Sequence, residues 1–207
     1  MDPVLRFLRA NPWSRRALSI VSAVLLTGAV AMLAYPAATN FMSDRTQGRL
    51  DREIASPEIK QAYQERRLQD GDALTRIKIP SLGVDTVVVE GTTASALKAG
   101  AGHYPNTPLP CEAGNVAIAG HRTTYGRPFS QLDRLNAGDV VILTTPIGSC
   151  TYEIVKEPFV ISPRDFSVVQ NDPAKKMLTL TTCHPKGSAR QRLVVQANLV
   201  KGAGGSA

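Results

Sequence analysis

Cysteine is scarce in this chain of 207 residues: Cys111, Cys150 and Cys183 are the only three, and no C-x-x-C pair occurs. That excludes a disulfide-built scaffold and a structural zinc site of the paired-cysteine kind. Histidine is equally sparse, at His103, His121 and His184. Aromatic residues are 5% of the chain and do not interleave with basic ones. Without a basic stripe, the net charge of +7 reads as solubility rather than as a nucleic-acid surface. Disorder throughout is excluded as well, because 43% of the residues are hydrophobic.

Charge is missing altogether between residues 17 and 43. The 19 residues from Ala17 to Tyr35 are nearly all Ala, Leu, Val, Ile, Met and Ser. As a helix they would span about 28 Å, close to the hydrocarbon thickness of a bilayer. A cleaved signal peptide is the competing reading. It is disfavoured because the run exceeds the usual signal core and no A-x-A triplet ends it. Arg6, Arg9, Arg15 and Arg16 precede the span, whereas residues 44–76 carry seven charges of each sign. The positive-inside rule then predicts a single-pass membrane protein with a cytoplasmic N-terminus and its working domain outside.

The expected organisation is a basic cytoplasmic tail over 1–16, a transmembrane anchor over 17–38 and a solvated stalk over 39–73. A working domain over 74–201 and a flexible tail over 202–207 follow. Within the stalk, Glu58 to Arg66 reads as helical, with Pro57 in its first turn. From Leu74 the pattern turns to period two and short β-branched runs. Strands are expected at 76–80, 84–91, 115–120, 140–145, 151–155, 177–182 and 193–200, and short helices at 93–98 and 129–135. This is a mainly β domain, a barrel or a sandwich.

Strand alternation sorts the reactive residues. Thr179, Thr181 and Cys183 share one face of their strand, with Leu178 and Leu180 on the other. Ala117, Ala119 and His121 share a face, as do Arg192, Val194 and Gln196. Cys183, His121 and Arg192 thus each sit on the smaller or more polar face of a strand end, where an extended peptide would have room. His184 should point away from Cys183. Spacing alone leaves the ordinary readings open: a strand cysteine as a small hydrophobe and a strand-end histidine as a satisfied polar residue. A metal site of His121, Cys183 and His184 would require His184 to turn inward.

The stretches GNVAIAGHRTTYGRPF (114–129), TLTTCHP (179–185), RLVV (192–195) and GAGHYPNTPLP (100–110) resemble the sortases, membrane-anchored cysteine transpeptidases of Gram-positive bacteria. The HRTTYG and TCHP wording looks most like class E. The resemblance implies an eight-stranded β-barrel with short helices behind an N-terminal transmembrane helix, and His121, Cys183 and Arg192 as the catalytic set. It implies as partners secreted proteins with C-terminal LAxTG- or LPxTG-type sorting signals, a lipid-linked peptidoglycan precursor and the membrane. Cleavage between Thr and Gly would pass through a thioacyl enzyme that a precursor amine resolves. No cofactor is implied, and calcium dependence is left open. Tyr125 matches the tyrosine linked to LAxTG preference. Thr181, Thr182, Phe166 and Val168 are the other substrate-binding candidates, with core packing an equal reading for Phe166 and Val168. If Cys183 is the nucleophile it must stay reduced, which leaves Cys111–Cys150 as the pairing compatible with activity. Two unpaired cysteines remain the alternative.

Two other readings compete. An L,D-transpeptidase would carry a histidine close before an HGC element; here His121 precedes Cys183 by 62 residues. A non-catalytic wall-binding domain on a membrane stalk needs none of the three residues.

Overall fold

The computed structural model describes residues 12–202. Most of the expected basic tail, including Arg6 and Arg9, and residues 203–207 of the expected flexible tail lie outside the described residues. Two compact units divide at Ala38 and Thr39.

Helix α1 runs from Pro12 to Glu53 and contains Pro36. It is the one described helix long and apolar enough to cross a membrane, and its apolar stretch is unburied. Residues 39–73, expected as a solvated stalk, are mostly exposed or half-buried but also pack on the β domain through a few buried side chains. In the second unit the helix continues to Glu53 and packs on the β domain. Leu50 is fully buried against Ala73, Val87, Val89 and Ala96. The Gln47 carboxamide donates to the Val87 and Ala99 carbonyls and accepts from the Val87 N–H and the Thr86 hydroxyl. A charge run signals a wetted face but hides a single Leu and a single Gln that a packed face needs. Helix α2, Pro57–Gln64, starts as expected. Ser56 caps it by accepting from Ile59 N, Pro57 opens it, and Ile59 and Tyr63 are buried.

Nine strands follow among the described residues: β1 Ala73–Ile79, β2 Val84–Glu90, β3 Ala101–His103, β4 Gly114–Ala119, β5 Val140–Thr145, β6 Gly148–Ile154, β7 Phe159–Ile161, β8 Lys176–His184 and β9 Gln191–Lys201. The sheet order is β6-β5-β1-β2-β3-β4-β8-β9, and β6 pairs back on β9. Eight strands therefore close a barrel, which removes the open edges of a sheet. The eleven-residue β9 pairs β8 on one edge and divides its other edge between two strands: its 197–201 end pairs β6 and its 192–194 end pairs β7. Pairing is antiparallel apart from β2–β3 and β4–β8.

The seven strands read from the sequence are present. Strands β3 and β7 are additional. Each is three residues long, too short to show alternation. Helix α3, Ala94–Ala99, lies where a helix is expected. The helix expected at 129–135 is only a 3₁₀ turn, Leu132–Arg134. Inside the barrel, Val116, Ile118, Leu178, Leu180, Leu193, Val195 and Ala197 join Ile77, Phe129, Leu143 and Tyr152 in one core. This is the apolar parity of β4, β8 and β9. Their other parity therefore faces outward, toward the site.

Candidate active site

The site forms where β4, β8 and β9 end together. Antiparallel β8–β9 pairing sets Cys183 directly opposite Arg192. Parallel β4–β8 pairing sets Ala119 level with Thr181. β4 stops at Ala119, so His121 follows two residues beyond its end, while Cys183 lies two residues beyond Thr181 on the same face of β8. The ends are tied as well as aligned. Gly120 N donates to the Thr181 carbonyl at 3.0 Å, and the Thr182 hydroxyl donates to the Gly120 carbonyl at 2.7 Å. Gly120 is required by close approach: a Cβ there would lie 2.5 Å from the Phe129 ring.

Cys183 is the free thiol and is half-buried. His121 is half-buried too, and loss of solvent lowers its imidazole pKa below the ordinary 6.5. The neutral ring is therefore favoured, because burial penalises the cation. The Arg192 Nη1 donates to the Ala189 and Gln191 carbonyls, both at 3.0 Å, which holds the guanidinium at the β8–β9 turn. The Tyr125 ring lies 5.0 Å from the His121 ring. Tyr125 has a left-handed backbone, φ 51°, followed by Gly126 at 74° and Arg127 at 42°. The Gly126 N–H is held by the Asn40 side-chain oxygen of α1 at 2.9 Å.

Beside Arg192 lies a cavity of about 130 Å³, lined by Tyr104, Ile161, Phe166, Val168, Thr181 and Arg192 among others. It suits one aliphatic side chain. Thr181, Phe166 and Val168 thus come together, and Phe166 is 62% exposed rather than packed in the core. Thr182 requires a correction. It is 3% exposed, has the core-side parity, and spends its hydroxyl on Gly120. It holds β4 to β8 and does not face the groove. His184 points away from the cysteine, its Nδ1 accepting from Arg122 at 2.9 Å. Cys111 and Cys150 are joined by a disulfide, with Cα atoms 5.6 Å apart. That bridge, the Tyr63 hydroxyl donating to the Pro110 carbonyl and the Cys111 N–H donating to the Tyr152 hydroxyl oxygen fix the loop leading into β4.

Sequence reasoning missed three contributors. Tyr104 reaches the Thr181 hydroxyl at 3.3 Å. Asn115 donates to the Val168 and Gln170 carbonyls and accepts from Thr179, anchoring the loop that carries Phe166 and Val168. Arg122 is buried between the two strand ends. Both Tyr104 and Asn115 lie in the GHYP and GN motifs, whose polar residues beside a strand were the available signal.

Titration of the His121 ring by NMR should give a midpoint below 6.5. Because the folded value is depressed, the associated stability is full above pH 6.5 and is lost as pH falls through the folded midpoint. A midpoint above 6.5 would contradict the desolvated neutral ring.

Comparison with known proteins matches residues 77–200 to the sortase domain family. Sortase D of Bacillus subtilis is 34% identical over 135 residues, covering 64% of this chain and 66% of the relative. Sortase E1 of Streptomyces coelicolor is 29% identical over 147 residues, covering 64% of this chain and 42% of the relative. The chain thus spans less than two thirds of the length of these curated relatives. Its fold overlays a Clostridium perfringens sortase D5 transpeptidase with a TM-score of 0.66 at 33% identity, covering 76% of this chain and 98% of that one. The solved Streptomyces coelicolor sortase E1, which holds a tripeptide in its active site, overlays at 0.59 with 27% identity, covering 66% and 93%.

Proposed function

From the premise that this chain belongs to the sortase family, we propose that it is a membrane-anchored cysteine transpeptidase acting on LAxTG/LPxTG-type sorting signals. The observation that carries the reading is the pairing of Cys183 with Arg192 across β8–β9, beside the end of β4 that leads into His121. Helix α1, with Arg15 and Arg16 before its apolar stretch, supports an anchor with a cytoplasmic N-terminus and an outer catalytic domain.

The signal lies extended along the groove, and the cavity beside Arg192 takes one of its aliphatic side chains. The tripeptide in the active site of the Streptomyces relative supports a peptide ligand. The Cys183 sulfur attacks the threonine carbonyl carbon, and the carbonyl π electrons move onto oxygen. Nη1 of Arg192 is occupied by the turn, and a guanidinium carries five N–H donors, so Nε and Nη2 meet the oxyanion. A desolvated neutral His121 takes the thiol proton and passes it to the glycine nitrogen as the C–N bond breaks. A thioester to Cys183 remains. The precursor amine attacks that carbonyl, His121 accepts its proton, and the thiolate leaves and is reprotonated. Class E resemblance and the Tyr125 ring beside His121 support discrimination at the second signal position.

The test is turnover of LAxTG and LPxTG peptides with and without an added amine. LAxTG should be processed faster, with amine shifting product from acid to amide, and Tyr125→Ala should narrow the ratio. No turnover of either peptide would reject the function. An unchanged ratio in the variant would remove Tyr125 from specificity.

A further inference from the structure

Arg122 is the residue after His121 and is 5% exposed, a rare burial for arginine unless it is paired. Its partners lie on separate segments. Nη1 donates to the Cys183 carbonyl at 3.2 Å and to His184 Nδ1 at 2.9 Å, both at the end of β8. Nη2 lies 3.0 Å from Oδ1 of Asp133, in the 3₁₀ turn Leu132–Arg134. Asp133 is in turn 3.9 Å from Lys186, in the β8–β9 turn. Burial of its carboxyl works against ionisation, but its backbone hydrogen bond and then the Arg122 charge outweigh this and hold it below its usual range.

The β4–β8 ladder ends at Ala119 and Thr181. Beyond it, the backbone carrying His121 would be free to drift from the backbone carrying Cys183. Three contacts span that gap: Gly120 N–H on the Thr181 carbonyl, the Thr182 hydroxyl on the Gly120 carbonyl, and the Arg122 fork on Cys183 and His184. Only the fork reaches the cysteine itself. A planar guanidinium with donors on two sides can grip both strand ends and the turn at once, which a lysine point charge does less well.

We infer that Arg122 is a positioning residue for the catalytic pair, a buried brace that sets the spacing of His121 and Cys183, with Asp133 as its outer anchor. The inference rests on reading Cys183 as nucleophile and His121 as proton carrier. Reactive groups displaced by a fraction of an ångström lose rate without losing substrate affinity, since near-attack geometry and not binding is what suffers.

The full-length chain in detergent micelles is assayed in two ways: kcat and KM on an LAxTG peptide, and the rate at which iodoacetamide alkylates Cys183 at pH 7, which needs no sorting signal. Arg122→Met should lower kcat about 10- to 100-fold with KM within twofold, and slow alkylation at least fivefold. Arg122→Lys should recover part of both. Asp133→Asn, at a half-exposed site touching neither catalytic side chain, should lower kcat about 3- to 10-fold. Combined with Arg122→Met, it should add nothing, as for two members of one network. Wild-type kcat and alkylation in Arg122→Met, or a loss confined to KM, would overturn the brace. If Arg122→Met does not fold, Asp133→Asn decides, and unchanged kcat there overturns it. If the wild type cleaves no signal peptide, the proposed function fails and the alkylation series alone judges Arg122.

Discussion

Cys183→Ala should abolish turnover, and Arg192→Ala should lower kcat/KM by about 10²–10³-fold, the scale of a lost oxyanion donor. Removing the sulfur removes the only group able to form the acyl bond, so the residual rate should fall at least about 10⁴-fold. Arg192 and Arg190 have the same strand parity in sequence, and alternation cannot choose between them. Register can: Arg192 faces Cys183 across β8–β9 and lines the cavity, whereas Arg190 is exposed in the turn. Arg190→Ala should therefore change kcat/KM less than about threefold. Parallel steady-state assays of the three variants check this, and the reverse ranking of the arginines would refute the assignment.

Breaking the Cys111–Cys150 bridge should cost about 4 kcal/mol. The two residues are 39 apart in sequence, and in the chain-entropy model a loop of that size restricts the unfolded state by about this much. Cys150 is buried in the core, so a Cys111→Ala/Cys150→Ala pair avoids burying a hydroxyl. For a domain of this size the melting temperature should fall by roughly 8–16 °C. The same fall should follow reduction of a Cys183→Ala protein. Thiol counts give an independent check, with one alkylatable thiol in the unfolded, unreduced chain and three after reduction. Unchanged melting and three thiols before reduction would contradict the bridge. Well below the transition, peptide cleavage should persist, because the bridge lies at the start of β4 and His121 beyond its end.

The β strands and their core face were legible because β4, β8 and β9 alternate strictly, whereas the closed barrel, rather than a sandwich, was implied only by the family resemblance. Leu178, Leu180, Val195 and Ala197 announce a core face, and Thr181, Cys183 and Arg192 the opposite one. The two missed strands, β3 and β7, are set by their neighbours rather than by their own pattern. The pairing of Cys183 with Arg192 across adjacent strands agrees with the parity and the motifs that singled them out. What lay hidden was long-range: Gln47 of α1 bonding across to Val87, Asn115 holding the loop of Val168, and Arg122 bridging 61 residues to Cys183. Each is one polar residue whose partner is chosen by topology, and no local pattern encodes it. Thr182 was misread because it neighbours the cysteine in sequence, although one residue along a strand reverses the face.

Intact-mass spectrometry of the full-length enzyme, acid-quenched during turnover of an LAxTG peptide, tests the thioacyl mechanism most directly. The wild type should carry an added mass equal to the peptide through its threonine less one water, mapped to Cys183 and removed by hydroxylamine. Cys183→Ala should carry none. Peptide cleavage with no such adduct, or an adduct on a residue other than Cys183, would contradict the account.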